Sequence, residues 1–278
     1  MTPPTAERTI DWQGHRGARG LLPENSIPAF LRALSYPEIT TLELDVVISG
    51  DDRVIVSHDP FMEPEICSLP DGGDITDTIR LRSLTAAEIA TYDCGQRRHP
   101  RFPEQQSRPA SKPTLAAVFA AVDRYCLQQG RDLPRYNIEL KYQVDWEPEL
   151  VPGRQKFAEL VLQDIANWGH PELVNLQCFD PPTLAVLHEL APEMPLAYLD
   201  EAPGEVAEKM KRLGFTPEIY SPWERGLTAD IIGEARSLGM RVIPWTVNEV
   251  DRMRELLALG VDGIITDYPD RITLVKPR

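Results

Sequence analysis

From Ile138 onward the chain alternates short apolar strands with amphipathic helices, and this pattern constrains its fold more than any other feature. The apolar runs predict strands at 137–141, 174–179, 196–199, 218–221, 241–245 and 263–266. Between them, Phe157, Leu160, Val161 and Ile165 recur at the three-to-four spacing of one buried helix face. Ile231, Ile232, Ala235 and Leu238 do the same, as do Val250, Met253, Leu256 and Leu257. Strands separated by helices pair in parallel through crossover connections.

The N-terminal half adds strands at 10–13 and 41–48, with a helix between them burying Ile27, Phe30, Leu31 and Leu34. Ser26 is placed to cap that helix, with Pro28 in its first turn. Eight strands point to an α/β fold of the (β/α)8 TIM-barrel type, and 278 residues suit one such domain. A doubly wound open sheet is the rival. It would want a Gly-rich phosphate loop after its first strand, and Gly14-His15-Arg16-Gly17-Ala18-Arg19-Gly20 lacks that spacing.

One stretch, 60–113, breaks the alternation. It is rich in Pro, Gly and Arg, and reads as an insertion over the barrel mouth, after the second strand. Within it, Thr85 and Glu88 have the spacing of a capping box.

The net charge of −14 argues against a broad nucleic-acid surface. No apolar run approaches the ~20 residues that span a bilayer, so stable membrane insertion is not expected. Cys67, Cys94, Cys126 and Cys178 are scattered and read as four free thiols in a reducing compartment. Residues 1–9 are polar, without a signal sequence, so the expectation is a cytoplasmic protein. Periplasmic or secreted placement would follow if a signal peptide had been removed.

Leu42-Glu43-Leu44-Asp45-Val46 carries the first chemical information. Side chains two apart on a strand share a face, so the leucines pack outward on helices and Glu43 and Asp45 point into the barrel. Two interior carboxylates repel each other and resist desolvation; a cation would relieve both costs. The bland alternative is a half-exposed strand with its acids in water. Asn137-Ile138-Glu139-Leu140-Lys141 repeats the pattern, with Glu139 and Lys141 inward. Its alternative is an ion pair that only fills the barrel. Together, Glu43, Asp45 and Glu139 form an all-oxygen ligand set suited to a hard divalent metal, Mg²⁺ or Ca²⁺. A phosphate bridging that ion and the Lys141 ammonium is the natural occupant.

His15 follows the first strand, and His58 ends Val54-Ile55-Val56-Ser57-His58-Asp59, a short strand after the turn at 50–52. Histidine suits proton transfer near neutral pH, and two of them could flank a phosphorus centre. Each could equally be a satisfied loop histidine, and His99, His170 and His188 are read that way. Arg16 could fork onto phosphate oxygens, or sit in a surface ion pair. Gly17 reads as a tight turn. Trp245 could wall a pocket over a glycerol or choline group, or pack in the core. Asp267 ends the eighth strand, where it could simply cap the loop.

These residues resemble a known family. His15-Arg16-Gly17 with Pro23-Glu24-Asn25-Ser26, Leu42 to Val46, Ser57-His58-Asp59, Ile138 to Lys141, and Asp262 to Pro269 are together similar to the motifs of glycerophosphodiester phosphodiesterases, in order along the chain. Leu84 to Glu88 and Pro113-Thr114-Leu115 are weaker echoes. The resemblance implies a barrel enzyme that hydrolyses small-molecule glycerophosphodiesters to an alcohol and glycerol 3-phosphate. It implies His15 as base and His58 as acid, with Glu43, Asp45 and Glu139 as metal ligands. Gln177-Cys178-Phe179 departs from the pattern, since many members carry a small hydroxyl residue before the Phe. The basic loop at 96–102 is also less typical and could cover the mouth over an anionic headgroup. Two other readings compete: a lysophospholipase D-like lipid headgroup hydrolase, and a non-enzymatic barrel that binds phosphate esters.

Overall fold

The computed structural model describes residues 9–275. The polar segment 1–9, on which the reading of a missing signal sequence rests, lies outside them but for its last residue. Strands β1 (Asp11–Gly14), β2 (Ile39–Ile48), β3 (Val54–Val56), β4 (Arg135–Leu140), β5 (Val174–Cys178), β6 (Leu196–Asp200), β7 (Ile219–Pro222), β8 (Arg241–Val242) and β9 (Gly263–Thr266) form one sheet. Its order is β8-β7-β6-β5-β4-β2-β1-β9, with every neighbouring pair parallel. Backbone bonds Asp262 N–H to Val242 O (2.8 Å) and Ile265 N–H to Pro244 O (3.0 Å) bring the two ends together. The eight parallel strands thus curl into a barrel, and β3 stands outside it, paired antiparallel to β2.

Helices α1 (Ile27–Leu34), α2 (Ala86–Ile89), α3 (Leu115–Gln129), α4 (Arg154–Trp168), α5 (Pro181–Leu190), α6 (Val206–Leu213), α7 (Ala229–Ser237), α8 (Val250–Leu259) and α9 (Ile272–Val275) follow the strands. Leu42, Leu44, Val46, Ile138 and Leu140 are fully buried between the strands and this outer layer. The caps are those the sequence indicates. Ser26 accepts from Ala29 N–H, and Thr85 and Glu88 form a reciprocal capping box.

Strand β8 stops short of the expected 241–245. Pro244 has no N–H to donate, so the ladder there continues only through single bonds such as Trp245 N–H to Pro222 O (3.1 Å).

The segment 60–113 builds a second small core. Met62, Cys67, Ile75, Leu81, Ile89 and Cys94 pack on Val47 and Ile55 of the β2–β3 hairpin. Here one expectation is corrected. Cys67 and Cys94 form a disulfide, and only Cys126 and Cys178 are free thiols. The pairing is long-range within the insertion: Ser68 N–H donates to Asp93 O (2.7 Å), and this bridge lays the two cysteines side by side. The argument for a reducing compartment built on four free thiols loses its premise. No helix among the described residues is long and apolar enough to cross a membrane.

Candidate active site

The carboxyl ends of the strands converge on a cavity of ≈ 220 Å³. It is lined by His15, Arg16, Glu43, His58, Glu139 and Lys141, with Trp245 on its wall. Every sequence-predicted site residue except Asp45 lines it, and Asp45 lies beneath, fully buried. The register explains the convergence: β2 and β4 pair Asp45 with Glu139, and Glu43 with Asn137.

Oxygen atoms of Glu43, Asp45 and Glu139 lie within 4.8 Å of one another. Burial, reinforced by Asp45 and Glu139, pushes the Glu43 carboxyl well above its usual range. Burial also lifts Glu139 to about 7, opposed by Lys141 and aided by Asp45. Asp45 goes the other way: burial would raise it, but Arg16, His58, Lys141 and His15 hold it far below the carboxylate range. Asp45 Oδ1 is buried without a hydrogen-bond donor, and a Glu139 carboxyl can only satisfy it by carrying a proton. A cation would take the place of that proton. The orphaned oxygen and the three hard donors therefore fit a divalent ion.

Lys141 Nζ lies 2.7 Å from Glu139 Oε1, and Glu139 with Asp45 keeps the ammonium charged despite burial. Arg16 carries carboxylate contacts that the sequence did not show. Its Nη1 binds Glu24 Oε1 at 2.6 Å and its Nε lies 3.1 Å from Asp45 Oδ2. The fork anticipated for phosphate is thus occupied by carboxylates. Arg16 still lines the cavity as a buried positive charge, and its left-handed backbone (φ 48) directs its N–H onto Glu43 Oε2 at 2.9 Å. The next residue is glycine for a steric reason. Gly17 has φ 86, and a Cβ there would sit 2.6 Å from the Ala29 carbonyl carbon of α1.

Each histidine leans on an aspartate. His15 Nδ1 donates to Asp267 Oδ1 at 2.6 Å, which leaves Nε2 bare and 3.9 Å from Glu43 Oε2. Burial lowers the His15 pKa, against the pull of Asp267. His58 Nδ1 lies 3.1 Å from Asp59 Oδ2; burial and Arg16 lower its pKa as well. Asp267 is thus more than a loop cap. Its partner is 252 residues away in sequence, and only barrel closure reveals it.

Four further features escaped the sequence reading. Glu24 binds both Arg16 and Arg19, and Arg19 lines the cavity beside them. Lys112 holds Ser57 and Glu63 at 2.8 Å each, steadying the His58 loop. Asn25 Nδ2 donates to Asp45 Oδ2 at 2.8 Å. Finally, a ladder of amides climbs the barrel interior. Gln13 Nε2 donates to Asp11, Asn137 Nδ2 donates to Gln13 and Gln177, and Gln177 Nε2 donates to Glu43 Oε1 at 2.9 Å. Trp245 donates its indole N–H to Ser221 O at 2.8 Å and meets Phe179 edge-on at 5.4 Å. Its ring is a fixed wall.

Residues 15–271 match the model of the glycerophosphoryl diester phosphodiesterase family. The chain belongs to this family. A glycerophosphodiester phosphodiesterase of Bacillus altitudinis is 27% identical, covering 94% of this chain and 96% of that one. The crystal structure of a candidate glycerophosphoryl diester phosphodiesterase from Silicibacter pomeroyi DSS-3 superimposes with a TM-score of 0.87 at 27% identity, over 97% of this chain and 94% of that chain. An Oleispira antarctica phosphodiesterase, solved with the product sn-glycerol-3-phosphate, shares the fold with a TM-score of 0.76 at 20% identity, over 96% of each chain. The protein is accordingly a phosphoric diester hydrolase of the glycerophosphodiester class on a TIM barrel.

Proposed function

We propose that the enzyme hydrolyses glycerophosphodiesters to an alcohol and sn-glycerol 3-phosphate in a metal-dependent reaction, with His15 and His58 moving the protons. The observation that carries this reading is three buried carboxylates clustered within 4.8 Å beside two aspartate-braced histidines in one cavity. Glu43, Asp45 and Glu139 would hold the ion, Mg²⁺ or Ca²⁺. When bound, it would supply positive charge against a phosphoryl oxygen.

The protein's own groups do the rest. Lys141 and the buried Arg16 face the diester with positive charge, which counts most as negative charge develops on the equatorial oxygens. The bare Nε2 of His15 accepts a proton from the nucleophile, and Asp267 stabilises the imidazolium that results. His58 returns a proton to the departing alkoxide. Burial favours its neutral form in the free enzyme, and an arriving anionic diester opposes that and loads it with a proton. Trp245 and Phe179 present apolar surface to the glycerol carbons. The segment 60–113 belongs to the same catalytic domain, taken as 1–278. Supporting its placement at the mouth, Ile66, Cys94 and Lys112 line a small cavity with His58, and Arg101 shares another with Arg16.

The test is turnover of glycerophosphocholine by protein stripped with chelator and then reloaded. Release of glycerol 3-phosphate should vanish and return with Mg²⁺ or Ca²⁺; full turnover by metal-free protein would refute the ligand assignment.

A further inference from the structure

The proton that His58 delivers goes to the departing alcohol, so that alcohol must lie on the His58 side of the phosphorus. The cavities distinguish the two sides. His15 and Trp245 line only the first. His58, Glu139, Lys141, Phe179 and Glu201 line both it and a second cavity of ≈ 540 Å³, which opens beyond them over Tyr142, Trp146, Tyr198 and Asp200.

The second cavity is walled by aromatic rings. Lys141, which lines it, is paired with Glu139 at 2.7 Å; behind the lining, Lys209 pairs with Asp200 at 2.6 Å, and Arg154, over the Tyr142 ring, pairs with Asp180 at 2.8 Å. Glu201 is exposed and makes no ion pair with any described residue, so the uncompensated charge of the lining is negative. Two of the rings already carry cations. The Arg154 guanidinium lies 4.6 Å from the Tyr142 centroid, and Lys141 Nζ lies 5.7 Å from that of Phe179. Trp146 and Tyr198 hold no such partner among the described residues. Aromatic faces beside a free carboxylate attract an organic cation.

We propose that this cavity is the leaving-alcohol subsite and that it selects a cationic alcohol, one bearing an ammonium or trimethylammonium group. The cation rests against Trp146 and Tyr198 with Glu201 as its counter-charge. The proposal rests on the reading of His58 as proton donor. A neutral alcohol such as glycerol gains neither contact, so the subsite discriminates by charge rather than by size.

The experiment compares kcat/KM of metal-loaded enzyme on glycerophosphocholine, glycerophosphoethanolamine and glycerophosphoglycerol. The wild type should prefer the two cationic diesters by about 5-fold, the scale of an exposed cation–aromatic contact with a counter-charge. Glu201→Gln should remove most of that preference through KM, and Glu201→Lys should reverse it. Trp146→Leu should lower it in the same direction. An unchanged ratio in Glu201→Gln and Glu201→Lys overturns the proposal while the phosphodiesterase reading stands, because glycerophosphoglycerol turnover reports the latter separately. Lysophosphatidylcholine presents the same choline from a lipid. Its turnover, if lowered by Glu201→Lys, supports the subsite and extends it to lipids; loss of only the soluble diester's turnover supports it for free glycerophosphodiesters alone. Should no diester be turned over, tetramethylammonium binding to the enzyme, followed by tryptophan fluorescence, decides. Binding weakened by Glu201→Lys supports the subsite, and no binding overturns it.

Discussion

Replacing Asp267 by Asn changes almost no volume, yet the hydrogen bonds around it predict a large kinetic effect. Both oxygens of Asp267 accept: one from His15 Nδ1 at 2.6 Å, the other from Asn248 Nδ2 at 2.7 Å. Asn248 cannot turn over, because its Oδ1 accepts from the Asp267 backbone N–H at 3.0 Å. In Asp267→Asn the introduced amide must therefore aim its oxygen at Asn248 and its NH₂ at His15. Nδ1 of His15 can then only accept, and the ring proton moves to Nε2, the atom meant to take a proton from the nucleophile. Restoring the productive tautomer leaves a buried donor facing a donor, at about 1–3 kcal/mol, and the negative charge that steadied the imidazolium is gone. General base help is worth ~10²–10⁴-fold, so kcat should fall by that factor, about 3–5 kcal/mol of barrier. The assay is steady-state release of glycerol 3-phosphate from glycerophosphocholine at saturating metal, with circular dichroism to confirm folding. The pH profile adds an independent check. Burial lowers the His15 pKa and Asp267 opposes it. Removing the carboxylate lets burial win further, so any residual activity should show its acid limb at lower pH. In a His15→Ala background the second substitution should add little, since the two residues act as one unit. A single mutant within about threefold of wild type, with its pH profile unmoved, would show that His15 is not the base.

The other expectations follow from the same geometry. Asp45→Asn should weaken metal binding, read by titration calorimetry, while the fold persists; unchanged affinity would remove Asp45 from the ligand set. His58→Ala should lose ~10²–10⁴ in rate on glycerophosphocholine but far less on a nitrophenyl phosphodiester, whose leaving group departs without a proton; equal losses would argue against an acid role. Gln177→Leu should weaken metal binding by freeing Glu43 Oε1; ordinary affinity would make the amide ladder mere filling. Denatured, unreduced protein should titrate two thiols and reduced protein four. The closed loop separates its cysteines by 27 residues, so opening it in Cys67→Ser should cost about 3.5 kcal/mol by the chain-entropy relation.

Local periodicity carried most of the fold into the sequence. The alternation in 42–46 and 138–141 works because a strand repeats every two residues; an apolar outer set leaves Glu43, Asp45 and Glu139 no direction but inward. The same logic failed wherever position depends on distant chain. Nothing around Cys67 and Cys94 in sequence shows that the insertion folds back at Ser68 and Asp93. Nor does the sequence beside His15 show that closure sets Asp45 and Glu24 against Arg16.

The barrel interior also divides in a way no single motif displays. β1, β2, β4 and β5 contribute Gln13, Glu43, Asp45, Asn137, Glu139 and Gln177, while Ala197, Ile219, Ile243 and Ile265 of the opposite half form an apolar cluster against Trp245. The buried carboxylates Glu43, Asp45 and Glu139 thereby gather on one wall of the barrel interior, opposite that apolar cluster. The amide ladder fits this division. Asn137 spends both N–H bonds on Gln13 and Gln177, so Gln177 must turn its own N–H toward Glu43. With Arg16 N–H on the other oxygen, Glu43 receives one donor on each side. Those two bonds favour its charged form against burial and against its neighbours, and an ionised carboxylate is what ligation requires.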